Sequence, residues 1–230
     1  MERKRIARLL CALMLAVCAA LPAQAGAEAA ELVQTCMPIN NEGMERSLFR
    51  LQMDNGQTLY LSGDQEEALY HKMEDVNFDG IDDLVTFPTL GASNFFADFY
   101  VYEPETRQYV HAPVRGGQIC NYTLDAQRRL VISDMNDGAR DGEKWIYAWK
   151  EGRLSPVRSM IVKTYEEAAF EGHFFTQTTD FSRYTIEIRD YTQGVEGGAT
   201  LLKQVYSGDD TGEEDARRIQ AAENLLMEGL

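Results

Sequence analysis

Apolar and polar residues alternate along most of the chain from Ser47 onward. The clearest run is Tyr184, Ile186 and Ile188, which are separated by polar residues. Side chains two positions apart lie on the same face of a β-strand, so this period predicts strands that bury one face. Similar runs occur in other segments: 49–53, 59–61, 95–102, 109–110, 145–149 and 154–157. The residues between these runs are typical of turns, and Asn55-Gly56 in particular favours a tight β-hairpin.

The last segment has a different period. Apolar residues follow helical spacing from Ile219 to Leu226, and acidic residues occupy positions 213–215. Acids in the first turn interact favourably with the helix dipole. The chain is therefore predicted to be all-β over residues 47–210, an antiparallel meander of hairpins in a propeller-like or sandwich arrangement. A C-terminal α-helix is predicted over residues 211–230.

The first 25 residues carry the features of a secretory signal peptide. Four basic residues precede an apolar run from Leu9 to Leu21, and small residues lie at Ala23 and Ala25. The apolar run is shorter than the roughly 20 residues that a membrane-spanning helix needs. The pattern predicts export, and we expect the mature protein in the periplasm.

The position of cleavage is less sharply defined than the signal peptide itself. We expect cleavage after Ala25, with Ala27 as the second choice. A lipoprotein anchor at Cys18 is the rival, and it is disfavoured because the bulky Val17 precedes that cysteine. Residues 26–46 would then form an N-terminal extension.

The chain is strongly acidic, with a formal net charge of −15. Removing the predicted leader takes away four basic residues and one acid, which leaves −18. Such a surface repels nucleic acid and anionic lipid, and it favours cations or a basic protein partner. By itself the charge indicates only a well-solvated surface.

Two cysteines, Cys36 and Cys120, remain after the leader is removed. A pair of cysteines in an oxidising compartment is usually a disulfide, and we predict one here. The alternative is two thiols that are buried separately.

Residues 75–83 contain the one motif with metal-binding chemistry. Oxygen-bearing side chains lie at its first, third, fifth and ninth positions, and a glycine lies at the sixth, where a calcium loop turns sharply. The predicted Ca²⁺ ligands are four side chains and one backbone carbonyl: Asp75, Asn77, Asp79, Asp83 and the carbonyl of Ile81. Magnesium is disfavoured because it dehydrates reluctantly and needs a stricter octahedron.

The motif departs from an EF-hand at its twelfth position, which is Thr86 rather than glutamate. Its flanks, residues 68–73 and 84–87, are predicted to be strands instead of helices. This favours a shorter loop between strands, in which another loop or water completes the calcium shell. The alternative is an acidic turn whose carboxylates accept backbone amides without a metal. A related stretch at residues 134–141 has its glycine one position early, so we interpret it first as a turn.

Several segments between Asp75 and about Met160 resemble a known family. They are the loop Asp75–Leu84, the turn Gly91–Asn94, the aromatic strand Phe99–Tyr102 and the Trp145-x-Tyr147-x-Trp149 strand. Together they resemble bacterial exported calcium-loop proteins related to FG-GAP and VCBS repeats. More narrowly, they are similar to periplasmic immunity proteins that inhibit lysozyme-like effectors of type IV secretion systems. The resemblance implies an all-β body with bound calcium and a role in blocking a cell-wall hydrolase.

The expected function is therefore that of a periplasmic calcium-binding protein that inhibits a peptidoglycan hydrolase. Its expected partner is a lysozyme-like hydrolase or another exported protein, since an acidic surface steers a basic partner. The alternative is a surface or adhesion module that calcium merely rigidifies. The sequence has no nucleophile elbow, zinc-protease His pair or phosphate-binding loop, so we do not expect an enzyme. We also expect no nucleic-acid partner and no membrane span in the mature chain.

Overall fold

Hairpins between neighbouring strands build most of the structure. A computed structural model of the chain describes residues 31–38, 45–65, 69–137, 141–164, 169–171, 174–176, 183–192, 199–207 and 213–230. The predicted signal peptide lies outside these residues. In the part of the chain that is described, every named strand pairing is antiparallel and a C-terminal helix follows the strands, so the predicted fold class is confirmed.

The first sheet contains β1 (Glu31–Pro38), β2 (Glu45–Gln52) and β3 (Thr58–Gly63), in that order. The predicted hairpin is formed: Leu51 pairs with Leu59, and Gly56 turns the chain at φ +87°. β1 belongs to the segment that the sequence assigned to an N-terminal extension. Its pairing with β2 shows that this segment contributes a strand to the β domain.

The second sheet has the order β4-β5-β6-β7, and β8 pairs separately with β6. Its strands are β4 (His71–Glu74), β5 (Asp83–Leu90), β6 (Phe95–Glu103), β7 (Gln108–His111) and β8 (Ile119–Cys120). A side chain from the first sheet closes its β7 edge. The amide of Gln57 donates to the carbonyl oxygen of Tyr109 over 2.9 Å and accepts from the backbone N–H of Tyr109 over 2.7 Å. Gln57 therefore makes the hydrogen bonds that a neighbouring strand would make there.

The third sheet has the order β16-β15-β12-β11-β10-β9. Its strands are β9 (Thr123–Asp125), β10 (Leu130–Asn136), β11 (Gly142–Lys150), β12 (Arg153–Thr164), β15 (Arg183–Asp190) and β16 (Ala199–Ser207). Between β12 and β15, a separate hairpin pairs β13 (Ala169–Glu171) with β14 (Phe174–Thr176). The helix α1 spans Glu213–Met227, slightly less than the predicted segment.

The centre of β11 buries one side chain on each face of the strand. Aromatic residues lie on one face, and Ile146 and Ala148 lie on the other. Tyr147 is fully buried in a core with Val85 and Phe99 of the second sheet. Ile146 is fully buried in another core, where it packs with Leu226 of α1. A third core joins the first and second sheets and contains these buried residues: Phe49, Leu51, Met53, Leu61, Leu69, Leu84, Tyr102 and Tyr109.

Arg158 of β12 fastens the C-terminal end of α1. Its guanidinium donates to the carbonyl oxygens of Leu225 and Leu226, over 3.1 Å each, and of Glu228, over 2.6 Å. The same side chain forms an ion pair with Asp190, with 3.2 Å between Nε and Oδ2. The last carbonyls of a helix have no partner within the helix, so a cation placed there stabilises the helix end.

Cys120 is a buried free thiol, and burial raises its pKa. Its backbone N–H donates to the hydroxyl of Ser133 over 2.9 Å, within the packing of β8 against β10. The predicted disulfide with Cys36 therefore finds no support at Cys120, and the side chain of Cys36 lies outside what the structure describes. Among the described residues, no helix is long and apolar enough to cross a membrane.

Candidate metal-binding loop

Residues 75–82 connect β4 to β5, which pair antiparallel with Glu74 opposite Asp83. The predicted strand character of both flanks is confirmed over His71–Glu74 and Asp83–Leu90. The connection is a series of bends in which Phe78 has φ +63° and Gly80 has φ +91°. Glycine tolerates the left-handed region at low cost, so its position suits the sharpest part of the loop.

Hydrogen bonds fold three of the predicted ligand side chains toward one another. Asp75 accepts the backbone N–H groups of Asp79 and Gly80, over 3.1 and 2.9 Å. Asn77 Oδ1 accepts the same N–H of Asp79 over 2.9 Å, and Asn77 Nδ2 donates to Asp79 Oδ2 over 2.9 Å. Asp79 Oδ1 accepts the N–H of Ile81 over 2.8 Å. The side chains of Asp75, Asn77 and Asp79 therefore surround one small volume at the tip of the loop.

Asp83 has a different environment from the other predicted ligands. It is fully buried, and its two oxygens accept the backbone N–H groups of Val76, over 3.1 Å, and Tyr102, over 2.9 Å. Burial raises its pKa from 3.8 to about 7; backbone hydrogen bonds oppose this shift, and the nearby carboxylate of Asp79 adds to it. Asp83 therefore also fastens the start of the loop to β6.

Two residues outside the loop hold its backbone against the third sheet. The indole N–H of Trp149 on β11 donates to the carbonyl oxygen of Val76 over 2.6 Å. Arg129 donates to the carbonyl oxygen of Asn77 over 3.4 Å. Phe78 packs against the adjoining core and Leu84 is fully buried, so both side chains anchor the loop.

The donor set is chemically suited to a hard cation such as Ca²⁺, which binds oxygen ligands. Within the described residues, however, no three acidic, histidine or cysteine side chains form a metal site on their own. The predicted set includes an amide oxygen from Asn77 and a backbone carbonyl from Ile81, neither of which is such a side chain. A calcium shell in this loop would therefore need these two oxygens in addition to the carboxylates.

A cavity of about 330 Å³ adjoins the loop, and Asn77 and Asp79 form part of its wall. Two exposed acids from hairpin turns, Glu103 and Glu151, line the same cavity, together with Trp149. These three residues lie far from the loop in sequence, so no local pattern predicts that they share a cavity with it.

The related stretch at residues 134–141 has a structural role at its first residue. Asp134 forms an ion pair with Lys144 over 3.2 Å, and Lys144 also pairs with Glu223 of α1. Burial opposes the charge of Lys144, but these two carboxylates raise its pKa. Residues 138–140 of the stretch lie outside the described part of the chain.

Comparison with known proteins gives no family assignment. No protein-family model matches the chain, and no curated protein matches it. One solved structure, of a Xanthomonas type IV secretion system related protein, aligns with 80% of this chain and 96% of its own, at a TM-score of 0.46 and 13% identity. A likeness this distant carries no argument about function.

Proposed function

We propose that the Asp75–Asp83 loop binds Ca²⁺ and that the calcium-stabilised β domain acts in the periplasm as an inhibitor of a peptidoglycan hydrolase. The observation that supports the metal site is the inward folding of Asp75, Asn77 and Asp79 in a loop between paired strands. An acidic turn without a metal makes some of these hydrogen bonds too. The side-chain oxygens at the first, third, fifth and ninth positions of the loop are what favour calcium.

The proposed ligands are the side chains of Asp75, Asn77, Asp79 and Asp83 and the carbonyl of Ile81. The ion would supply positive charge where the carboxylates of Asp79 and Asp83 repel each other. Trp149 and Arg129 would keep the loop backbone in place with or without the ion, since both bind main-chain carbonyls. Calcium would stiffen the loop itself, between the paired strands β4 and β5.

Calorimetric titration and thermal unfolding of the mature chain, residues 26–230, test the metal site. Calcium that binds only the folded state, at a concentration of about 100 times its Kd, should add about 2.7 kcal/mol of stability. For a domain of this size, that corresponds to a Tm increase of roughly 5–10 °C. Asp79→Asn should abolish most of the increase, whereas Glu105→Gln, which neutralises an exposed acid in the β6–β7 turn, should retain it. Absence of binding heat and of any Tm change at millimolar calcium would refute the site.

The inhibitory role is supported by the acidity of the chain and by the resemblance of the loop and aromatic strands to immunity proteins. The test measures lysis of bacterial cell walls by lysozyme-type hydrolases, including any that is encoded beside this gene. We expect the mature chain to slow lysis in calcium and to lose this effect in chelator. If no hydrolase forms a complex with the calcium-loaded chain, the inhibitory role is wrong even when the metal site is right.

The second candidate is a surface or adhesion module. It is favoured by the anchoring of the loop on both sides, because such a loop would stiffen the domain without contacting a partner. This candidate predicts calcium-dependent retention of the chain on isolated cell walls without inhibition of lysis. Retention assays with and without chelator separate the two candidates.

A further inference from the structure

An open groove lies on the second sheet, and its lining residues are distinct from those of the metal-binding loop. Its volume is about 480 Å³, within the range of about 300–1,000 Å³ that is common for ligand pockets. We call it the aromatic groove, after the residues that form most of its wall: Tyr70, Lys72, Phe87, Leu90, Phe95 and Tyr122. None of these residues belongs to the Asp75–Asp83 loop.

The rim of the aromatic groove exposes apolar side chains to water. Tyr70 is 58% exposed, Phe95 45% and Leu90 39%. Only two other large apolar side chains in the described part of the chain are comparably exposed, Tyr60 and Val110. Single exposed apolar residues are ordinary, but a concentration of them around one cavity is typical of a binding surface.

The floor of the groove is made of aromatic rings that pack on one another. The rings of Phe87 and Tyr122 are nearly parallel, with centroids 6.3 Å apart. Tyr70 contacts Phe87 at 5.2 Å, and Phe99 lies edge-on to Tyr122 at 4.9 Å. A floor built in this way is held in shape before any ligand arrives, which lowers the entropic cost of binding.

Lys72 provides the one charge on the wall of the groove, as far as the described residues show. Its ammonium lies 4.8 Å from the centre of the Tyr122 ring and 2.8 Å from an oxygen of Glu74. The Tyr122 hydroxyl donates to that same oxygen, so Glu74 is engaged twice. An ammonium has three donors and the Lys72 side chain is 40% exposed, so it has capacity for a further acceptor.

The side-chain amide on the groove wall is already engaged within the chain. Asn121 also lines the groove, and its oxygen accepts the N–H of Phe95 over 3.0 Å. Its amide nitrogen donates to the carbonyl oxygen of Ser93 over 2.8 Å. Lys72 is therefore the residue that would fix the polar part of a ligand, and the charge that complements it is negative.

We propose that the aromatic groove binds a segment of a partner protein that inserts one aromatic side chain and places an adjacent carboxylate against Lys72. The exposed rings supply the apolar contact, and Lys72 supplies the charge complementarity. The chain as a whole carries −15, so the attraction for the carboxylate acts at contact distance and not through long-range steering. None of the groove residues is a proposed calcium ligand, so we expect binding both with and without calcium.

Two dipeptide probes test the site by NMR titration in about 150 mM salt, where the Debye length is about 8 Å. They are N-acetyl-aspartyl-phenylalanine amide and its uncharged asparaginyl analogue. We expect saturable shift changes at the Leu90 methyl groups and the Tyr122 ring, both in calcium and in chelator. The acidic probe should bind about threefold to fivefold more tightly than the neutral one. Lys72→Gln should remove that difference.

Exposed tyrosines give a matched control for the apolar contact. Tyr70→Ser should weaken binding of both probes by roughly tenfold, since it removes one wall of the groove. Tyr60→Ser, which changes a tyrosine that is 64% exposed and does not line the groove, should leave binding unchanged. Unsaturable shifts, or equal effects of the two substitutions, would overturn the site. Equal affinity of the wild-type chain for both probes would overturn the role of the carboxylate.

Discussion

Asp83 makes the stability of the calcium-free protein depend on pH in an unusual direction. Its carboxyl is fully buried, and burial raises its pKa from 3.8 to about 7. Between these two values the folded state holds a proton that the unfolded state has lost. Stability therefore falls as the pH rises through this range. Between pH 5 and pH 8, only the roughly two pH units below the folded-state pKa contribute to this loss. At 1.36 kcal/mol per unit, the free energy of unfolding falls by about 3 kcal/mol.

Urea unfolding at several pH values between 5 and 8, in chelator, measures this loss directly. Asp83→Asn is the control, because an uncharged amide cannot titrate and the contribution of Asp83 to the pH slope should vanish. The amide places a donor where Val76 or Tyr102 also donates, so we expect this variant to be less stable by about 1–3 kcal/mol at pH 5. Comparing the two slopes cancels the contribution of every titratable group other than Asp83.

Calcium should reverse the trend, because a ligating carboxylate must be ionised. The stability gained from a fixed calcium concentration should thus increase from pH 5 to pH 8. Equal pH slopes for the wild type and Asp83→Asn in chelator would refute the argument from burial. A calcium effect that is independent of pH would show that Asp83 is not among the ligands.

Three further predictions concern the fold. Arg158→Ala should lower the free energy of unfolding by about 3 kcal/mol and expose the amides of α1 to hydrogen exchange. The control Arg189→Ala, at an exposed ion pair, should lower it by under about 1 kcal/mol. Similar losses for the two variants would show that the helix end does not need Arg158. Tyr147→Phe should leave stability unchanged or raise it by about 1 kcal/mol in urea unfolding, since the buried hydroxyl has no hydrogen-bond partner among the described residues. A clear loss of stability would show that the hydroxyl does have a partner. Gln57→Ala should lower stability by about 1–2 kcal/mol and promote self-association in light scattering, because it uncovers the backbone of Tyr109 at the β7 edge. Gln57→Glu keeps the acceptor and should lose less stability. Unaltered scattering by Gln57→Ala would contradict the role of Gln57 in covering this edge.

The alternation of apolar residues predicted the strands well, because the first, second and third sheets each bury at least one face against another element. Leu51 and Tyr147 are examples, since their neighbours two positions away share their core. The conformation of the loop also followed from its sequence, because the Asn77, Asp79 and Gly80 spacing encodes local hydrogen bonds. Local patterns of this kind are independent of the rest of the fold.

Features that depend on distant parts of the chain were not predicted. The burial of Asp83 arises from its contact with Tyr102, which lies on another strand. The aromatic groove combines residues from β4, β5, β6 and the segment after β8, and no sequence pattern shows which aromatic residues remain exposed. The pairing of β1 also escaped prediction, because the residues preceding Ser47 show no clear alternation.

β11 brings together two features that the sequence keeps apart. Trp149 on this strand holds the backbone of the Asp75–Asp83 loop, and Ile146 packs on the other face against α1. One strand therefore separates the loop from α1. Loss of packing on one face of β11 would loosen the strand and so weaken the contacts on its other face. A chain that loses the last turns of α1 to a protease would be expected to hold the Asp75–Asp83 loop less firmly.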